Sequence, residues 1–332
     1  MRILHTSHKG LPDQRIERAA FVAHSRGDTI HFLGLGETKS PDLDVFETIT
    51  MLRKVNNREV ALDKSIRAEW ANAINSINPD LIHANDIIAA VFSRELGIPM
   101  VYDDHEYWSA QRVAYDSWPL LWKIRSRPFL TAIPRWENEL VSKYVTITVS
   151  EGIAEEHRRL SDRVFVLQNY CLKKEVENLP INPNRKGIVY VGNDFRKKKF
   201  LPHRDLTGLK DYLDFDDITG LSRHELYNQL TTYRFGLLPF RTINYHKYSN
   251  SAKLFDYLNC GLQVFLTQRL YQSHGELPFT IPFNDYSELP ELVKNTPPVD
   301  PKDIMEYAHK NLVWEAQQDK LFEAYQQAKT DI

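Results

Sequence analysis

Short apolar runs alternate with longer amphipathic stretches through the first half of the chain, the pattern of parallel strands joined by crossover helices. It predicts strands over Arg2–Thr6, Thr29–Leu33, Leu81–His83, Met100–Tyr102, Val145–Val149 and Val164–Leu167. Helices are predicted over Asp13–Ser25, with Ile16, Ala19, Ala20 and Ala23 on one face, and over Asp63–Ile77, with Ile66, Trp70, Ala73 and Ile77. Both fit the role of covering a sheet.

Periodicity lapses over Asn169–Arg185, where Pro180 and Pro183 mark a domain junction. The pattern then restarts with a strand at Gly187–Val191, a helix at Arg223–Thr232 and a strand at Phe235–Pro239. In Tyr248–Thr267 a helix opening of N-cap types, Ser249, Asn250 and Ser251, leads to a helix stopped by Gly261 and a strand at Gln263–Leu266. The tail, Pro301–Ala328, is helical by composition, with Leu312, Trp314, Leu321, Phe322 and Tyr325 as apolar anchors, and is expected to reach back to the first half. Together with a length of 332 residues, this predicts two doubly wound Rossmann-like α/β domains facing across a cleft. Their expected bounds are 1–168 and 169–310, the second abbreviated, followed by a C-terminal helix over 311–332.

Composition changes this picture little. Hydrophobic residues at 42% and charged residues at 26% exclude a disordered chain, and a formal net charge of −2 argues against a nucleic-acid partner. Cys171 and Cys260 lack metal-binding spacing and fit a reducing compartment. The start, MRILHTSHKG, has no signal-peptide core, and no apolar run reaches the roughly 20 residues of a membrane span. A cytoplasmic protein is expected, at most peripheral to a membrane. One patch bears on that point: Ser117–Trp136 holds Trp118, Trp122, Lys123, Arg125, Arg127 and Arg135 and no acidic residue. It suits an anionic membrane surface or a lipid-linked acceptor, or else an internal packing surface for a partner subunit or the C-terminal helix, and Pro128 and Pro134 are expected to break any long helix there.

The GxSxG, GxxxxGK[ST], HExxH and first-strand GxGxxG patterns are absent, which weakens hydrolase, ATPase and dehydrogenase readings. The remaining candidates sit at strand ends. His8, Lys9 and Gly10 follow the first strand in a loop suited either to close approach by a ligand or to a surface turn. Asn85 and Asp86 follow another strand, and Asp103-Asp104-His105-Glu106 a third. At such a strand end His105 can contact a sugar hydroxyl, transfer a proton or be structural, and a divalent metal ranks below direct sugar contact. Gly192 opens the basic run Arg196-Lys197-Lys198-Lys199, a means of neutralising a diphosphate leaving group. Lys253, near the predicted helix start, adds a charge where backbone N–H groups favour an anion, and Asp256 lies on nearly the same face.

Taken together these residues resemble the retaining GT-B glycosyltransferases, in particular the large metal-independent family 4, or group 1, type. The resemblance rests on Asp13-Gln14-Arg15-Ile16, Pro79-Asp80-Leu81-Ile82-His83-Ala84-Asn85-Asp86, Tyr102-Asp103-Asp104-His105-Glu106, Thr148-Val149-Ser150-Glu151 and Trp314-Glu315. It implies a nucleotide-diphosphate sugar such as a UDP-sugar as donor, no required cofactor, and a glycan, lipid-linked or small-molecule acceptor. By the same resemblance His105 contacts the donor sugar, and Arg196 with Lys199 stabilises the departing phosphate. Lys253 meets the diphosphate, Asp256 the ribose, and Gly220-Leu221 the base, with Gly10, Gly192, Asn250 and Ser251 also on the donor side. His8, Lys9, Asn85, Asp86 and Glu106 are assigned to the acceptor. The family's chemistry is commonly described as front-face attack, with the leaving phosphate helping to deprotonate the acceptor.

Tyr248 and Asp256 stand where many members carry two glutamates, and Ala252 where a subset has proline. Only 23 residues separate Val191 from Phe215, fewer than the family usually has. These departures keep two other readings open: a binding or scaffold protein that kept the fold without turnover, and a nucleotide-sugar epimerase.

Overall fold

The computed structural model describes residues 1–55, 63–110, 120–192, 206, 208–240 and 244–330. The first of two units comprises Met1–Gln168 with Gln317–Ile332. Its elements are β1 (Arg2–Ser7), α1 (Gln14–Ser25), β2 (Thr29–Leu35), β3 (Thr48–Leu52), α2 (Lys64–Ile77), β4 (Leu81–Asn85), α3 (Asp86–Ser93), β5 (Met100–Asp104), α4 (Leu120–Lys143), β6 (Val145–Thr148), α5 (Glu151–His157) and β7 (Val164–Val166). The strands form one parallel sheet in the order β3-β2-β1-β4-β5-β6-β7. Strand order reverses beside β1, so the carboxyl ends of β1 and β4 flank a topological switch point.

Local chemistry sets the helix ends. Asp13 caps α1 by accepting from the N–H groups of Arg15 and Ile16, and Asp63 caps α2 through Ser65 and Ile66. Trp70 on α2 is fully buried, and its indole N–H donates to Ser93 Oγ at 3.1 Å. The edge strand β3 was not anticipated, because its residues are half-buried to exposed and threonines interrupt its apolar run.

α4 departs from expectation. It runs unbroken from Leu120 to Lys143 with Pro128 and Pro134 inside it. Each proline removes a backbone hydrogen bond at a cost of about 3 kcal/mol. Burial of Phe129, Ile133, Trp136, Leu140 and Val141 against the sheet offsets that cost.

The second unit is Asn169–Ala316. It contains α6 (Lys173–Val176), β8 (Ile188–Val191), β9 (Asp216–Ile218), α7 (Arg223–Leu230), β10 (Phe235–Leu238), α8 (Ala252–Asn259), β11 (Gln263–Thr267), α9 (Gln268–Ser273), β12 (Thr280–Phe283), α10 (Leu289–Asn295) and α11 (Pro301–Asn311). Its parallel sheet has the order β12-β11-β10-β8-β9. The two unanticipated strands lie at the edges: β9 opens with two exposed aspartates, and β12 carries Pro282, a residue sheets confine to edges.

The tail divides between the units. Residues 311–316 stay with the second, because Trp314 N–H donates to the Cys171 carbonyl at 2.8 Å and Asn259 Nδ2 to the Leu312 carbonyl at 3.0 Å. Leu312 and Trp314 are therefore anchors of the second unit rather than of the returning helix. α12 (Gln318–Thr330) joins the first unit, packing on α1 and on β4 to β7 with Leu321 and Tyr325 fully buried. Replacing Trp70 with Ala should cost the first unit about 3 to 5 kcal/mol by opening a core cavity. Denaturant unfolding followed by a probe in this unit measures it, and a loss under about 1 kcal/mol would contradict the packing described.

Candidate functional site

In the first unit the carboxyl ends of β1, β4 and β5 bring charged groups together. Asp103, fully enclosed, is held by the Arg15 guanidinium, whose Nε and Nη2 donate to its two oxygens at 2.9 and 2.7 Å. Arg15 also donates to the Leu167 carbonyl at 2.9 Å, so the first turn of α1 clamps β5 and the segment after β7. His83 Nε2 lies 3.1 Å from Asp103 Oδ2, and His83 Nδ1 lies 2.7 Å from the Tyr325 hydroxyl. A carboxylate only accepts, so His83 carries its proton on Nε2 and Nδ1 accepts from Tyr325.

His105 comes next. Its Nε2 is 3.3 Å from Asp103 Oδ2 and its Nδ1 is 3.9 Å from Asp86 Oδ1. Burial alone would lower its pKa, but Asp103 and then Asp86 raise it to about 9, so His105 is an imidazolium at neutral pH. Burial of Asp103 is overridden by Arg15 and His105, which hold its carboxyl well below the usual range. Burial pushes Asp86 up to about 6 against the pull of His105. Asp86 also has φ 68°, a left-handed conformation that side chains other than glycine adopt at a cost, at the point where β4 turns into α3. Burial, with the charges of Lys9 and His105, lowers His8 to about 3. Lys9 and Glu106 act on Asp86 electrostatically, and Asn85 donates to the Thr6 and His83 carbonyls. His8, Lys9, Asn85, Asp86, His105 and Glu106 are thus gathered at the carboxyl end of one sheet.

Gly10 is explained by its own chain. A Cβ there would lie 2.2 Å from the Glu37 carbonyl oxygen, so the close approach it permits is to that backbone. A second buried pair lies beside Asp103: His157 donates to Asp104 at 2.8 Å, while burial and Asp104 raise the pKa of Glu137 on α4. Among the described residues no group of three or more His, Cys, Asp or Glu is placed to hold a metal ion.

In the second unit Lys253, on the first turn of α8, places Nζ 4.8 Å from the Tyr190 ring centroid, 5.4 Å from that of Phe240 and 3.4 Å from the Tyr190 hydroxyl. A Cβ on Gly192 would come within 3.1 Å of that ammonium, so the glycine leaves room for the charge at the end of β8. Ser251 is the N-cap; its N–H donates to His274 Nε2 at 2.9 Å, and the His274 Nδ1–H donates to Leu270. Burial lowers His274 to about 4 and keeps it neutral for that task. Asn250 Oδ1 accepts from the Asn169 N–H at 2.9 Å.

Asp256 accepts from the Tyr227 hydroxyl at 2.7 Å and pairs with Arg223 at 3.3 Å, so part of its capacity is taken by α7. Gly220 has φ 78° with no atom near a would-be Cβ, which marks a turn glycine, and Leu221 beside it is exposed. Arg196 and Lys199 lie outside the described residues, as does Trp118; so do the side chains of Trp122, Lys123 and Arg125. Arg15, His83, Glu137, Arg223, Tyr227 and His274 are further members that the sequence assigns no task, and Tyr325, expected only as an apolar anchor, is another. Arg15 and His83 carry a sequence signal, in the Asp13–Ile16 and Pro79–Asp86 motifs.

Residues 15–170 match the family model described as Glycosyltransferase Family 4. Sucrose-phosphate synthase from Thermosynechococcus elongatus is similar in structure at 12% identity and a TM-score of 0.69, over 98% of this chain and 99% of that one. Anabaena Alr3699/HepE in complex with UDP is similar at 12% identity and 0.63, over 98% and 100%. A glycosyltransferase from Rickettsia africae ESF-5 is similar at 13% and 0.60, over 98% of each chain. No curated protein matches by sequence. The two parallel-sheet domains have the GT-B fold of these enzymes.

Histidine NMR should find His105 titrating near 9. Because this lies above the unfolded value, its charge contributes stability in full below about pH 6.5, and that contribution is lost as pH rises through about 9. Asp103→Asn should bring the midpoint to about 6.5 or lower, and Asp86→Asn should lower it less. An unchanged midpoint in both variants would remove the carboxylates as its cause.

Proposed function

We propose, from the match of residues 15–170 to the Glycosyltransferase Family 4 model and from the GT-B fold, that the protein transfers a hexose from a nucleotide-diphosphate sugar, with UDP as the carrier, to an acceptor hydroxyl with retention. The observation that carries this reading is the placement of His105 between the Asp103 and Asp86 carboxylates at the strand ends of the matched residues, which favours its charged form. A charged imidazole donates from both nitrogens and accepts from neither, so its task is to bind and polarise sugar oxygens rather than to remove a proton.

The donor is assigned to the second domain. Lys253 brings an ammonium to the opening turn of α8, and helix N–H groups with an adjacent cation form a diphosphate site. The Ser251 N–H bound to His274 fixes that turn. Asp256 meets the ribose by sharing its carboxylate with Tyr227 and Arg223. Arg196 and Lys199, which follow β8 in sequence, are assigned to the leaving phosphate on that position alone. In the reaction the bond from the anomeric carbon to the leaving phosphate oxygen breaks, and the acceptor oxygen bonds to the same face. The acceptor proton passes to the departing phosphate. No metal or protein nucleophile is needed in this scheme.

The pairing of Asp256 with Arg223 favours a second reading, a protein that binds the nucleotide without turnover. Product analysis with a panel of nucleotide sugars separates the possibilities. Transfer is marked by a glycoside of unchanged anomeric configuration, an epimerase by an altered sugar without acceptor, and a binding protein by neither; an inverted glycoside would sink the retaining assignment. Lys253→Met should weaken donor affinity about ten- to 150-fold, the loss of a charge-assisted contact of about 1.5 to 3 kcal/mol. If calorimetry finds parent and variant binding every nucleotide sugar alike, Lys253 is not the diphosphate ligand.

A further inference from the structure

The solvent-facing side of α4 takes no part in the chemistry above. Leu120, Leu121 and Ile124 are 71%, 78% and 60% exposed, three large apolar side chains within five residues. The other exposed large hydrophobics among the described residues, Ile49, Leu160, Ile181, Tyr212 and Leu221, are scattered in sequence. Continuing along α4 at helical spacing, Ile124, Arg127, Pro128, Thr131 and Arg135 line a shallow groove of about 560 Å³. Arg127 and Arg135 are exposed, and from Leu120 to Trp136 the sequence has four basic residues and no acidic one. The next carboxylates do not offset this charge. Glu137 is buried, and Glu139 is paired with Arg94 and Lys143.

We propose that this face of α4 docks on an anionic lipid bilayer, with Leu120, Leu121 and Ile124 entering the interface and Arg127 and Arg135 meeting lipid phosphates. Apolar side chains at one end of a basic stripe match the layering of a headgroup region over acyl chains. The opposite side of the helix, with Phe129, Ile133 and Leu140 packed in the core, makes the surface preformed rather than folded on contact. The apolar side chains sit at one end of the exposed face of a helix packed on the first domain, which suits a contact in the interface plane. A two-fold contact between copies would set Arg127 and Arg135 against the same charges on the partner copy, which disfavours self-association through this face. The inference is independent of the sugar-transfer reading, since it uses none of the residues assigned there.

The test is flotation of the full chain with vesicles of phosphatidylcholine alone or with about one-third phosphatidylglycerol, at low and high salt. The intact protein should partition to the anionic vesicles, weakly to the neutral ones, and less as salt rises. Leu121→Ser with Ile124→Ser should lower partitioning about tenfold or more, as should Arg127→Ser with Arg135→Ser. Arg127→Lys with Arg135→Lys should restore most of it. These exposed substitutions should leave the thermal midpoint and nucleotide binding unchanged, which separates lost docking from lost fold. Absence of binding to anionic vesicles, equal binding to neutral ones, or full binding by both serine pairs would overturn the proposal. So would light scattering that finds a dimer abolished by Leu121→Ser, which would make this face an interface between copies.

Discussion

The buried carboxylate of Asp103 is the group on which the first domain turns. An ionised carboxylate without solvent is tolerated only when paired and hydrogen-bonded, and Asp103 is met by the Arg15 fork, by His83 and by the His105 ring. Those partners come from α1, β4 and the loop after β5, and Tyr325 of α12 adds a further layer through His83. One charge thus ties the sheet, its covering helices and the site together. The cost of burying it is offset by the interactions that give His105 its charge and direction. Structure and electrostatics here are the same set of bonds.

The second domain solves a different problem with similar means. At the start of α8 a backbone N–H without an intrahelical partner needs an acceptor, and neutral His274 supplies it to Ser251. Two aromatic rings and the absent side chain of Gly192 keep Lys253 at the strand end. Asp256, by contrast, is drawn toward α7 by Arg223 and Tyr227. The cation is held over two rings at a strand end, and the carboxylate is partly spent on α7.

Much of the architecture was legible because parallel strands buried on both faces are unmistakable apolar runs. β1, β2, β5 and β11 read directly from the sequence. Edge strands were not legible, since β3, β9 and β12 are half-exposed and lack that signature. Proline rules misjudged α4, where core burial on one face outweighs two lost hydrogen bonds. At the site, residues clustered in sequence, such as Asp103 to Glu106, announced themselves. Their supports did not: Arg15 lies 88 residues from Asp103, and Tyr325 lies 242 from His83. Nor did spacing alone show that Gly10 serves the Glu37 carbonyl, or that Asp256 is shared with α7.

The placement of α12 has a consequence for how the chain is made. The first domain is assembled from Met1–Gln168 and Gln317–Ile332, with the whole second domain inserted between them. During synthesis the second domain is complete in the nascent chain before Leu321 and Tyr325 emerge. Until then β4 to β7 lack the helix that covers them, and His83 lacks the hydroxyl that orients it. The domain begun first is thus completed by residues made only after the whole of the second.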